Sequence, residues 1–169
     1  MQLPHANYKP RAHVRAHRLI VAQIDGDQAH ADQIDREVGD DALAQQLLLT
    51  YLASRVWSAV LAGFGVNIAD SEADWPIEAE QVVEHHRDQH PEGPARDALQ
   101  LVRLLIETED HPQAERLLSQ IEDYQPVAVA LAQAVVYYET LPEQVTLQRK
   151  REALLVESLA AIDQILMGK

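Results

Sequence analysis

Apolar residues recur at spacings of three and four along most of the chain, the periodicity of helices that bury one face. No segment shows the apolar–polar alternation of strands beyond what helices explain. The spacing is clearest near the two ends, at Val14, His17, Val21 and Ile24 and at Leu155, Leu159, Ile162 and Leu166. The pattern therefore predicts an all-α protein.

Proline and glycine divide this pattern into separate helices. The predicted helices cover residues 10–24, 28–38, 41–61, 76–89, 94–108, 112–122, 126–139 and 143–167. Asp27 is a plausible N-cap for the second helix, and Gly39 is suited to end it. We expect seven to eight helices, arranged as antiparallel hairpins in a single domain over residues 1–169.

The most apolar segment, 42–64, has Arg55 near its middle, which would be costly in lipid. We therefore interpret it as a buried core helix and expect no association with a membrane. The residues predicted for the core are Leu47, Leu48, Leu52, Val56, Val60, Leu105, Leu118, Ile121 and Val135.

The order of long and short helices suggests two pseudo-repeats of four helices each, 10–90 and 94–167. The segment 24–27 (IDGD) resembles 106–109 (IETE), at an offset of 82 residues. Coincidence among alanine- and leucine-rich helices is the alternative explanation.

Residues 95–126 resemble a tetratricopeptide-type repeat, and residues 18–43 resemble a degenerate one. The small and apolar residues that carry this resemblance are Ala98, Val102, Leu105, Ala114, Leu118 and Ile121, followed by Pro126. The resemblance implies helical hairpins and, by analogy, binding of a peptide or protein.

The net charge and its distribution along the chain limit the kinds of partner that the protein can bind. The net charge is −13, yet residues 1–24 carry Lys9, Arg11, Arg15 and Arg18 and no acid. An acidic body repels phosphates and disfavours direct nucleic-acid binding. The basic stripe is suited to contact a nucleic acid or an anionic partner. Such a helix more often packs on the acidic body of its own chain or of a second copy, so a homo-oligomer is compatible with the sequence.

The acidic middle of the chain is the predicted partner-binding region, because neighbouring Arg87 and Arg96 are too few to neutralise it. Its predicted residues are Glu72, Asp74, Trp75, Glu78, Glu80, Glu84 and Asp88. The leading hypothesis is a non-enzymatic, cytoplasmic interaction or regulatory module with a basic protein partner. An acidic mimic of nucleic acid that inhibits such a partner is a further alternative. The composition is typical of a GC-rich bacterial or phage genome.

Histidines supply the one pattern that suggests a ligand site. His85, His86 and His90 lie near Glu84 and Asp88, and histidines four residues apart can share a metal. A metal- or small-ligand-binding bundle is therefore the alternative function, although such residues more often form a solvated helix face. Cysteine is absent, which excludes disulfides and cysteine-ligated zinc. No catalytic motif occurs, so we expect no enzyme, no cofactor and no metal.

Overall fold

The computed structural model of the protein describes residues 8–65, 77–107 and 112–140, and these residues form seven helices. The helices are α1 (Tyr8–Asp25), α2 (Gln28–Val38), α3 (Ala42–Gly63), α4 (Ile77–Asp88), α5 (Pro94–Glu107), α6 (Pro112–Gln120) and α7 (Tyr124–Thr140). The all-α prediction is confirmed, and seven of the predicted helices lie within a few residues of these bounds. The predicted helix at 143–167 lies outside the described residues.

Local chemistry explains where the first helices begin and end. The Asp27 carboxylate accepts a hydrogen bond from the His30 amide at 3.1 Å, and Asp41 caps α3 by accepting from the Leu43 amide at 3.1 Å. Such side chains satisfy amides that have no partner inside the helix. Gly39 ends α2 with a φ of +58°, a left-handed conformation that glycine adopts at low cost.

The core is built around α3 and α7, which pack against each other and against α1 and α5. Five of the predicted core residues are buried: Leu48, Leu52, Val56, Val60 and Val135. Leu105, Leu118 and Ile121 are partly buried and pack against that core. The prediction was wrong for Leu47, which is partly exposed and is not among the residues packed on the core.

The buried face of α1 differs from the one that the apolar spacing suggested. Val14 and Ile24 are 57% and 59% exposed. The face turned to the core instead carries three alanines and two larger apolar residues: Ala12, Ala16, Ala22, Leu19 and Ile20. Alanines allow two helix backbones to approach closely, which the apolar pattern alone does not reveal.

Contacts between helices define their directions. Across α4 and α5, Glu84 meets Arg103 and Arg87 meets Gln100, an order that makes this pair antiparallel. A short turn at Gly26 joins α1 to α2 in a hairpin. The expected antiparallel hairpins are thus present at α1–α2 and at α4–α5.

The helix boundaries recur along the chain. Helix α1 ends at Asp25 and α5 at Glu107, α2 ends at Val38 and α6 at Gln120, and α3 begins at Ala42 and α7 at Tyr124, each pair 82 residues apart. A long, a short and a long helix follow one another in both halves. Duplication of an ancestral unit stays a prediction, but the recurrence gives a register for comparing the halves.

One polar contact joins α2 to α7. The Tyr124 hydroxyl donates a hydrogen bond to the Asp35 carboxylate, and the tyrosine is only 8% exposed. Burial, and then the hydrogen bond to Asp35, raise the pKa of the Tyr124 phenol. The neutral phenol is therefore the form that the fold stabilises.

We expect the free energy of unfolding to fall above about pH 10, the usual pKa of tyrosine, partly through Tyr124. Its folded pKa is the higher one, so its contribution is fully present below the unfolded pKa and is lost as the pH rises through the folded pKa. Urea unfolding at pH 8 and pH 10.5 would measure this. Tyr124→Phe should cost about 1 kcal/mol at pH 8 and less at pH 10.5. A loss of unfolding free energy in Tyr124→Phe that does not depend on pH would contradict this account. Tyr137→Phe, which changes an exposed tyrosine, is the matched control.

Among the described residues, no helix combines the length and the apolar character that a membrane span requires.

Candidate functional site

Helix α4 carries all the predicted partner-binding residues that the structure describes: Glu78, Glu80, Glu84 and Asp88. Ala79 and Val83 are fully buried and fix which side of α4 faces the protein. The remaining predicted residues of the acidic region, Glu72, Asp74 and Trp75, lie outside the described residues.

The acids of α4 do not share one face. Successive residues turn by about 100° around a helix axis, so Glu80, Glu84 and Asp88, four residues apart, form one stripe. Glu78 lies about 160° from Glu80 around the same axis. The sequence therefore located the acidic helix, and the structure separates Glu78 from the other three acids.

Arginines neutralise part of this stripe. Arg103 on α5 donates a hydrogen bond from Nε to Glu84 Oε1 at 2.8 Å, and Arg87 Nε lies 3.3 Å from Asp88 Oδ1. Within the part of the chain that the structure describes, Glu80 has no ion pair. The sequence analysis missed Arg103 because it lies 19 residues from Glu84 and the two meet only through the α4–α5 hairpin.

An exposed apolar residue adjoins the stripe at the start of α4. Ile77 is 64% exposed, and it lies close to Glu80 and Glu84 around the axis at helical spacing. We refer to Ile77, Glu80, Glu84 and Asp88 together as the α4 stripe. Sequence reasoning missed Ile77, although its position directly after Pro76 and before the acids was a usable signal.

The three histidines of the alternative metal site do not converge. His85 is exposed on the outer side of α4, where its ring lies 3.2 Å from the Gln89 amide nitrogen. His86 turns inward, and its Nδ1 lies 2.8 Å from the Tyr138 hydroxyl. The rings of His86 and His90 are 5.5 Å apart between centroids. Among the described residues, no group of three potential ligands is placed to hold a metal ion.

His86 and His90 instead border a cleft between α4, α5 and α7. The cleft has a volume of about 230 Å³, and its lining includes Leu99, Ala134 and Tyr137. Tyr138 is buried and Tyr137 is 43% exposed, as expected for adjacent tyrosines that cannot both face inward. This apolar, aromatic lining with two imidazoles could accept a small ligand.

The basic stripe of α1 contacts its own chain. Arg18 Nη1 lies 2.7 Å from Glu37 Oε2, and Arg15 Nε lies 3.7 Å from the same oxygen. The hydrogen bond from Arg18 holds the pKa of the Glu37 carboxyl below its usual range. Two of the four basic residues therefore stabilise the α1–α2 hairpin, and Arg11 is exposed.

The fold and these surfaces define an all-helical protein with an acidic stripe on one hairpin and a small cleft beside it. No protein-family model matches the chain, and searches of curated proteins and of solved structures also give no match. The resemblance to tetratricopeptide-type repeats stays a prediction.

Proposed function

We propose that the protein is a non-enzymatic protein-interaction module that binds a basic partner through the α4 stripe. The observation that carries the proposal is the position of exposed Ile77 beside three acids on one side of α4. Interfaces typically combine an apolar contact with complementary charge around it. A partner with a small apolar pocket bordered by lysine or arginine fits this surface.

Two further features favour recognition at this surface. Glu80 has no ion pair among the described residues, so its charge is available to a basic partner. The net charge of −13 attracts a basic partner from a distance and raises the association rate. Salt screens this attraction over about 8 Å at physiological ionic strength.

A defined probe tests the proposal: a fluorescent amphipathic helical peptide with leucine on one face and lysine on the other. We expect E80K/D88K to weaken its binding about tenfold, measured by fluorescence anisotropy, which corresponds to roughly 1.4 kcal/mol. Higher salt should weaken binding to the original protein, mainly through a slower association rate.

Glu115 and Glu122 provide the matched control. Both are exposed outside α4, and E115K/E122K changes the net charge as much as E80K/D88K does. The control variant should retain most of the binding. Equal losses in both variants, or no loss in either, would show that the acids of α4 are only a solvated face.

Competition with duplex DNA for a natural partner tests mimicry of nucleic acid. If a natural partner is isolated and duplex DNA competes with α4 for it, the stripe occupies the partner's nucleic-acid groove. If duplex DNA does not compete, the α4 stripe forms an ordinary protein–protein interface with that partner.

Binding of a metal or small ligand in the cleft is the second candidate function, favoured by the paired rings of His86 and His90. A ligand that binds only the native state raises the melting temperature by mass action. Under the leading proposal, zinc leaves that temperature unchanged. A rise with zinc that His90→Ala removes and His85→Ala leaves intact would favour the cleft instead.

A further inference from the structure

A groove beside α1 has the features that the α4 stripe requires of a partner. It is open to solvent and has a volume of about 340 Å³. The residues of α1 that line it recur at spacings of three and four, so they share one side of the helix. Six residues form this lining, and we refer to them as the α1 groove: Pro10, Arg11, Val14, Arg15, Arg18 and Glu37.

The apolar part of the α1 groove consists of Val14 and Pro10. Val14 is 57% exposed, and Pro10, four residues earlier on the same side of α1, is also exposed. Covering such apolar surface with another apolar side chain removes it from water, which favours association. The groove therefore offers a contact for one exposed apolar residue of a partner.

Three guanidinium groups border this apolar part, and one carboxylate neutralises only part of their charge. Glu37 Oε2 lies 2.7 Å from Arg18 Nη1 and 3.7 Å from Arg15 Nε. A guanidinium group has five N–H donors, so both arginines can bind a further carboxylate while they remain near Glu37. Arg11 is exposed and has no ion pair with any residue in the ranges 8–65, 77–107 and 112–140. The groove is thus a basic surface on an acidic protein.

The α4 stripe carries the opposite charge over a similar length. At 1.5 Å per helical residue, its acids extend about 12 Å from Glu80 to Asp88. The arginines of the groove extend about 10.5 Å from Arg11 to Arg18. One chain therefore carries both an acidic stripe with an apolar residue at one end and a basic groove with an apolar centre.

The two surfaces do not satisfy each other within one chain. Ile77 is 64% exposed, so it does not fill the groove of its own chain. The surfaces also belong to different helix pairs, because α1 packs on α2, α3 and α7, whereas α4 packs mainly on α5. Both surfaces therefore remain available to a second copy.

We infer that the protein associates with itself, and that the α4 stripe of one copy docks in the α1 groove of another. Ile77 contacts the apolar part of the groove, and the acids of the stripe face its arginines. This inference rests on the proposed function, because it names a second copy as the basic partner of the α4 stripe. Any other basic partner must displace that copy, so self-association regulates access to the stripe.

Sedimentation equilibrium of the full chain measures the association. At low salt, we expect the average mass to rise with protein concentration above the 18.9 kDa of one chain. R11E/V14E changes two exposed residues of the groove, and E80K/D88K changes the stripe. Each variant should lower the association constant about tenfold or more, and high salt should lower it in the original protein.

Mixing the two variants gives a test that does not depend on loss alone. The mixture should associate more strongly than either variant does, because the unchanged stripe of R11E/V14E meets the unchanged groove of E80K/D88K. Such recovery also shows that both variants are folded. R116E/Q120E is the matched control, since both residues are exposed on α6 and the change in net charge equals that of R11E/V14E. The control should associate like the original protein.

The helical peptide described above separates failure of this inference from failure of the proposed function. R11E/V14E, whose stripe is unchanged, should bind the peptide at least as tightly as the original protein does. A chain that binds the peptide but stays monomeric at every concentration would overturn self-association and leave the proposed function standing. A chain that neither associates nor binds the peptide would contradict both.

Three further outcomes would overturn docking in the groove even if the chain associates. They are association that R11E/V14E retains, an equal loss in R116E/Q120E, and a mixture of the two variants that shows no recovery. The first would show that the stripe contacts another surface of the second copy, and the second would show that only net charge matters. The third would show that the stripe and the groove do not contact each other.

Discussion

Leu52→Ala should lower the free energy of unfolding by about 2–5 kcal/mol. Leu52 has no exposed surface, and it lies on α3, which contacts α1, α4, α5 and α7. Truncation removes buried methyl groups and leaves a cavity that four neighbouring helices cannot easily close. Chemical denaturation monitored by circular dichroism measures the loss.

Leu47 on the same helix is the matched control. It is partly exposed and does not pack on the core, so Leu47→Ala should cost less than about 1 kcal/mol. Similar losses at both positions would show that the outer side of α3 is also covered. A loss below about 0.5 kcal/mol at Leu52 would place that residue on the surface.

Ala53→Leu should also destabilise the protein, by about 1–3 kcal/mol, because it adds volume to a filled interior. Ala53 is fully buried on α3, next to Leu52 in the chain. The alanines of α1 that face the core, Ala12 and Ala16, are each only 2% exposed, which indicates close helix packing in this region. A larger side chain must push helices apart or adopt a strained rotamer.

Ala62, exposed near the end of α3, provides the same substitution without the packing constraint. Ala62→Leu should change the free energy of unfolding by no more than about 0.5 kcal/mol. If Ala53→Leu were equally neutral, the interior would contain space that the observed burial does not indicate. The melting temperatures of both variants, measured at one protein concentration, decide this.

Much of the fold could be predicted because helix boundaries depend on local chemistry. Asp27 and Asp41 act as N-caps through bonds to amides two or three residues away, and Gly39 ends α2 through its own conformation. The core leucines of α3 also follow from local spacing. The error at Leu47 arose because α3 is apolar on nearly every side, so spacing did not identify which leucines face inward.

The candidate site was predicted less completely. The sequence identified α4 as the acidic helix and grouped Glu78 with Glu80 and Glu84, but helical rotation separates Glu78 from the stripe. It could not foresee that Arg103 pairs with Glu84 or that His86 contacts Tyr138, because those pairs are 19 and 52 residues apart. It grouped His85 with His86, although adjacent residues on a helix point about 100° apart.

The sequence by itself determined the helical class, most helix ends and the acidic character of the α4 region. These properties depend on residues within a few positions of one another and on charge, which follows directly from the residue types. The tertiary structure alone decided that alanines line the inner face of α1, that Val14 and Ile24 face outward, and that α5 partly neutralises α4. Those outcomes depend on how closely two helices approach when they are far apart in the chain. The volume of the side chains between the helices and the polar pairs that form across them determine that distance.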